Sequence, residues 1–122
     1  MLPLTGKRYH DNMPTKNRTI STVLTTSNQD IYTVPDRWNA EVFSIFITNT
    51  TTSPRTISME YYDSVNSTWS YLMKDMPLVP NGIIQIEESI YLVATDKIRA
   101  LANVNTSVTV TFKVLEDFAT AL

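Results

Sequence analysis

The sequence predicts an all-β protein: an antiparallel β-sandwich, jelly-roll or immunoglobulin-like, of about eight strands with an extended N-terminal arm. Three observations predict it. Thr, Ser and Asn abound while only 2 glycines occur in 122 residues, and β-branched and aromatic residues recur in short runs, a composition that favours strands. Several of those runs alternate apolar and polar residues with period two. Turn-forming residues separate them at spacings of about 8–12 residues, as in sandwiches and small barrels. No window carries the period of a long amphipathic helix.

The elements follow in chain order. Residues 1–18 contain no recognisable packed element, because Pro3, Gly6 and Pro14 interrupt any helix or ladder. Lys7, Arg8, Lys16 and Arg18 against Asp11 give this segment a net charge of +3, so the remainder of the chain carries −5. The segment reads as an extended basic arm, and residues 19–122 as one domain. Strand candidates follow at 19–25 (TISTVLT) and 30–34 (DIYTV). In VPDRW, Pro35 is expected at the second position of a turn, where its fixed φ is wanted. In EVFSIFITN, unbroken alternation places Phe43, Ile45 and Ile47 on one face and Val42 and Phe46 on the other. That strand therefore reads as apolar on both sides, central in a sheet or at an interface.

After the polar loop TTTSPR, RTISMEYY alternates Ile57, Met59 and Tyr61 against Ser58, Glu60 and Tyr62. DSVNST is a second polar loop, followed by WSYLMK (69–74). In VPNGI, Gly82 is expected to take the positive φ that closes a hairpin. Residues 83–87, 89–93 and 96–102 supply further strands. SVTVTFKVLE has the clearest pattern, with Val108, Val110, Phe112 and Val114 inward and Thr109, Thr111 and Lys113 outward. The tail EDFATAL fits a single helical turn.

Composition also excludes functions. The absence of cysteine rules out disulfides and thiolate metal sites. The stretch MLPLTGKRYHDNMP has no apolar core of a secretion signal, and no run approaches the roughly 20 apolar residues of a membrane span. An acidic body argues against nucleic-acid partners, which require a basic face. His10 is the only histidine, so a zinc site would rest on carboxylates and a Ser-His-Asp arrangement would have to recruit His10 from the arm. Glu87 and Glu88 are adjacent and face opposite sides of a strand, so they cannot work as a facing acid/base pair. There is no GxGxxG and no phosphate-binding glycine loop. The expectation is a non-enzyme without cofactor or metal. Trp38, Trp69, Tyr71 and Tyr91 are candidates for a sugar-stacking platform, although such residues more often anchor cores and interfaces. The sequons at Asn17, Asn49, Asn66 and Asn105 read as accidents of a Ser/Thr-rich chain.

The order of segments resembles a known group. IYTVP, AEVFSIFITNTT, TISMEYYD, WSYLM, VPNGIIQIEESIYLVATDKIRALA and VTVTFKVLE together resemble the small β-sandwich structural proteins of tailed bacteriophages, especially marine and cyanobacterial phages. The residues that carry it are Tyr32 to Pro35, Thr48 and Asn49, Pro80 to Gly82, and Leu92, Asp96 and Ile98, within residues 19–116. The resemblance implies a virion component assembled in the host cytoplasm, foremost a capsid decoration or cement protein. A neck, collar or tail component is the alternative within that class. A receptor- or carbohydrate-binding module using Trp38, Trp69 and Tyr91 is the alternative of another class. Expected partners are the major capsid protein or neck and tail proteins, together with further copies in a homo-oligomer or symmetric lattice. Lys7, Arg8, Tyr9, Lys16 and Arg18 of the arm, with Val42 and Phe46 of the two-sided strand, are the expected partner-binding residues.

Overall fold

In the computed structural model, residues 14–118 are described. They form nine strands: β1 (Thr15–Val23), β2 (Gln29–Thr33), β3 (Trp38–Asn49), β4 (Arg55–Asp63), β5 (Thr68–Leu78), β6 (Ile83–Ile86), β7 (Ile90–Leu92), β8 (Lys97–Ala102) and β9 (Val108–Phe118). The first sheet has the order β1-β9-β3-β6, with β7 also on β3, and the second has the order β2-β8-β4-β5. Every pairing is antiparallel. β6 pairs with Ile45–Thr48 of β3 and β7 with Ala40–Val42, so the two act as one interrupted strand. Only β4 and β5 are neighbours in both chain and sheet; the other connections cross between sheets. That is the jelly-roll order, which decides between the two sandwich types expected from sequence.

The core lies between the sheets. Val108, Val110, Phe112 and Val114 are all fully buried, as their alternation requires, and so are Ile57, Met59 and Ile98 of the facing sheet. Burying each such side chain contributes roughly 1.5–3 kcal/mol before the entropy of ordering is set against it. Asn49 ends β3 inside the structure. Its Nδ2 donates to the carbonyls of Ser53 (2.8 Å), Leu78 (3.3 Å) and Val79 (3.1 Å), and its Oδ1 accepts from the Thr51 N–H (3.0 Å). The threonine-rich stretch after β3 is thus a loop folded around a buried amide, and that sequon nitrogen is fully occupied.

Five expectations need correction. The arm does not extend to residue 18. β1 begins at Thr15 and pairs with β9 along its whole length, from Thr15–Asp117 to Val23–Thr109. The strand expected at 19–25 thus starts four residues earlier and ends at Val23; Lys16, Asn17 and Arg18 gave its first part no apolar face for periodicity to show, and the β9 backbone supplies its partners. Next, β3 is not two-sided. Its register with β9 shifts between Val42 and Ser44, so Phe43 is the extra residue of a β-bulge. Ala40 and Val42 face the core before the bulge, Ile45 and Ile47 after it, and one inserted residue had imitated two apolar faces.

The turns also differ. The Trp38 N–H donates to the Pro35 carbonyl (3.1 Å), so Pro35 is the first residue of that turn and Arg37, at φ 73°, takes the left-handed position. In VPNG the Gly82 N–H donates to the Val79 carbonyl (3.0 Å), and Asn81, not Gly82, has positive φ (56°). Pro80 and Asn81 hold the two central positions of a type II arrangement. Space favours Gly82: a Cβ there would press on the Val79 side chain and lie 3.0 Å from the Val79 carbonyl oxygen. Finally, Glu116–Phe118 continue β9, and residues 119–122 of the supposed helical turn lie outside the described residues.

Candidate interaction surface

Of the expected arm contacts, Lys7, Arg8 and Tyr9 lie outside the described residues. Lys16 and Arg18 sit in β1 and are used within the fold. The Lys16 Nζ stands 4.8 Å from the ring centroid of Trp38. The Arg18 Nη1 donates to the Glu116 Oε2 at 3.3 Å. Glu116 is the last inward position of the β9 alternation and only 1% exposed. The Tyr32 hydroxyl of β2 donates to the same carboxylate oxygen, so Glu116 ties the two sheets together. Burial first, and then this hydrogen bond to a carboxylate, push the Tyr32 phenol well above its ordinary value of 10.0. A raised folded-state value means that the protonated phenol stabilises the fold fully below about pH 10, and that this contribution is lost as pH rises further.

Arg18→Ala is therefore expected to destabilise the domain, not merely weaken binding. Removing one partner of a buried pair costs about 3–5 kcal/mol, but the Arg18 side chain is 47% exposed, and solvent screening reduces the expected loss to about 1–2 kcal/mol. Urea denaturation checks this; an unchanged midpoint would return Arg18 to a purely external role.

Val42 is fully buried beside Ile45 and Ile47 and cannot reach another subunit; the bulge is the physical reason. Phe46 does face outward, on the first sheet, with the Lys113 Nζ 5.6 Å from its ring centroid. Of the four candidate ligand aromatics only Trp69 and Tyr71, both on β5, share a face; Trp38 and Tyr91 stand elsewhere. Trp38 packs edge-on against Phe118 at 5.4 Å. Tyr91 stands 74% exposed on β7, at the edge of the first sheet. Trp69 lies on β5 of the second sheet.

Around Trp69 the outer face of the second sheet gathers a cluster that sequence reading had only in part. Cross-strand register sets Tyr62 opposite Trp69 and Glu60 opposite both Tyr71 and Arg99, and since Tyr61 packs on the core, these neighbours point outward. The Tyr62 and Trp69 rings are 4.8 Å apart, tilted by 41°. The Arg99 guanidinium lies 3.6 Å over Trp69 and is held by the Glu60 carboxylate at 2.9 Å. Lys97 pairs with Asp30 at 3.5 Å and sits 5.7 Å from the Tyr62 ring. Tyr71 is 56% exposed. The signal for this face was present in the alternation of EYY and WSY, but the strand pairing that assembles it was not.

Comparison with known proteins gives a likeness of fold. No family model and no curated protein matches the chain. Among solved structures it is similar to the subunit of Bacillus endospore appendages, described as disulfide-linked pili, at a TM-score of 0.52 and 13% identity, over 89% of each chain. A pentameric capsid protein from metagenomic phage sequences aligns at a TM-score of 0.40 and 19% identity, over 79% of this chain and 59% of that one. The CBM22-1 and GH10 modules of an endo-1,4-β-D-xylanase from Clostridium thermocellum, in complex with xylohexaose, align at 0.35 and 12%, over 88% of this chain and 26% of that one.

Proposed function

We propose that this protein is a structural subunit that acts in many copies, and that it belongs to a tailed-phage virion as a capsid decoration or cement protein. A neck, collar or tail position is the runner-up. The observation that carries the reading is the outer face of the second sheet. Tyr, Trp and Arg are the residues that dominate binding energy at protein interfaces, and Tyr62, Trp69, Tyr71 and Arg99 share one face. Asp30 and Glu60 alternate there with Lys97 and Arg99, so the patch carries both charge signs and can meet a second copy of itself, as a two-fold contact requires. The sequence resemblance supports the phage assignment. The appendage protein of like fold is described as forming disulfide-linked pili; these 122 residues hold no cysteine, so they cannot join copies through a disulfide.

Aromatic anchors of this kind each contribute about 2 kcal/mol or more to association, roughly a thirtyfold change in dissociation constant. The Trp69→Ala, Tyr71→Ala double variant should stay folded and shift self-association to correspondingly higher concentration in sedimentation experiments. Association of the variant indistinguishable from wild type would remove this face from the proposal.

A further inference from the structure

We propose that the β5 edge of the second sheet pairs with the same edge of a second copy, antiparallel about a two-fold axis at Ser70, so that two second sheets join into one. This edge pairing rests on the self-association proposed above and specifies its geometry. An unpaired strand edge presents a row of backbone N–H and C=O groups to any extended chain, and proteins usually guard it. Among the described residues, three of the four sheet edges are guarded. β1 carries Lys16 and Arg18 on its inward face, one of the devices that deter pairing. β2 has only 5 residues and a register shift between Asp30 and Tyr32. β6 and β7 hold 4 and 3 residues with a break between them. β5 runs for 11 residues and pairs only with β4. Its second half is guarded too: Lys74 and Asp75 together stand against Ser58, Asp75 has a φ of 48°, and Pro77 lacks an N–H. Its first half, Thr68–Met73, has no charge, no proline and no glycine.

So short an open run selects the register and makes a second copy its fitting occupant. A two-fold axis sets one residue opposite its own copy and its neighbours opposite each other. With Ser70 on the axis, Trp69 stands opposite the other copy's Tyr71. Both lie on the outer face, so the Tyr62–Trp69 pair of one copy continues across the axis into the other copy's Tyr71, and the reverse. Cross-strand aromatic pairs of this kind stabilise sheets, and Tyr71, exposed at the edge, gains the neighbour that β5 lacks on its open side. Ser70 is small and exposed, which lets the two backbones approach. The adjacent registers fit worse. Centring on Trp69 sets Tyr71 opposite Ser67, which lies in the turn at φ 55°. Centring on Tyr71 sets Trp69 opposite Met73, whose ladder partner Met59 is buried in the core. Charge agrees with the Ser70 register. The uncharged run brings no like charges together, and Lys74 of each copy comes beside the β4–β5 turn of the other, at whose start Asp63 lies.

Because the chain has no cysteine, a single introduced thiol reports its distance from its own copy. Opposed residues of an antiparallel pair have Cα atoms about 4.5–5.5 Å apart, inside the roughly 4.4–6.8 Å of a disulfide. Residue 68 and its copy would be offset by four positions, about 13 Å. The test is mild oxidation of Ser70→Cys, Thr68→Cys and Leu72→Cys full chains, at concentrations where the wild type associates, followed on non-reducing gels. Ser70→Cys is expected to form covalent dimer about tenfold faster than Thr68→Cys or Leu72→Cys alone, and a mixture of the last two should give the mixed dimer faster than either alone. In the unsubstituted chain, amide hydrogen exchange at residues 68–72 should slow as protein concentration rises. Ser70→Cys no faster than Thr68→Cys, or exchange at 68–72 that ignores concentration while the protein associates, overturns the edge pairing. If the Trp69→Ala, Tyr71→Ala double variant still weakens association in that case, the outer face remains the contact, by stacking rather than by pairing. A wild type that never associates overturns both.

Discussion

Val110→Asp is expected to lose about 4 kcal/mol or more, enough to unfold many domains of this size outright. Val110 is fully buried on β9, the central strand flanked by β1 and β3. A carboxylate there must remain charged without a partner, take up a proton or drag in water, and each route is costly. Thr109→Asp is the matched control. Thr109 faces the other way, half-buried on the outer face, and the same substitution should change stability by no more than about 1 kcal/mol. A denaturation midpoint for Val110→Asp equal to that of Thr109→Asp would mean that the β9 register is wrong, and with it the packing of both neighbours.

The second large effect is expected at Asp96, where Asp96→Ala should cost about 3 kcal/mol. This carboxylate is 1% exposed. Its Oδ1 accepts from the Ser64 N–H (2.9 Å) and hydroxyl (2.7 Å), and its Oδ2 from the Val93 N–H (2.9 Å). The loop after β4 and the loop after β7 are both anchored on this one side chain. Truncation leaves two backbone donors partly buried without acceptors, and hydrogen bonds to a charged group are worth about 1.5–3 kcal/mol each. Asp96→Asn retains one acceptor but turns an amide N–H₂ toward donors, so it should recover only part of the loss. Thermal unfolding of the three proteins orders them; Asp96→Ala melting with wild type would reduce the cluster to a surface turn.

The strands were legible where alternation and burial coincide. β9 and β4 read correctly because each has one apolar and one polar face, and every inward residue of β9 from Val108 to Val114 was identifiable. What failed did so for local physical reasons. β1 carries Lys16 and Arg18 on its inward face, so the first four residues of a true edge strand looked like a charged arm, while the rest, within 19–25, was read as strand. The β3 bulge shifts parity by one residue at Phe43, and a periodicity argument has no means of locating an insertion. Glu116 continues an inward series, yet a glutamate in that place reads as a strand end until Arg18 and Tyr32 are seen around it. Asp96 was picked out only through the resemblance, and its neighbours Leu92 and Ile98 are indeed core residues.

The interaction surfaces were less legible than the fold. Trp69 was singled out with Tyr71, which does share its face, but also with Trp38 and Tyr91, which stand elsewhere; its other companions Tyr62, Arg99 and Glu60 join it through the β5-β4-β8 order, a long-range pairing that no local pattern contains.

The central claim is that the chain works as a repeated structural subunit of a tailed-phage particle, with the outer face of its second sheet covered. Image reconstruction of intact particles containing the chain tests it most directly. The expected result is many symmetry-related copies, with Tyr62, Trp69 and Tyr71 buried against a neighbouring copy. A single copy per particle, or that face open to solvent in every copy, would contradict the account.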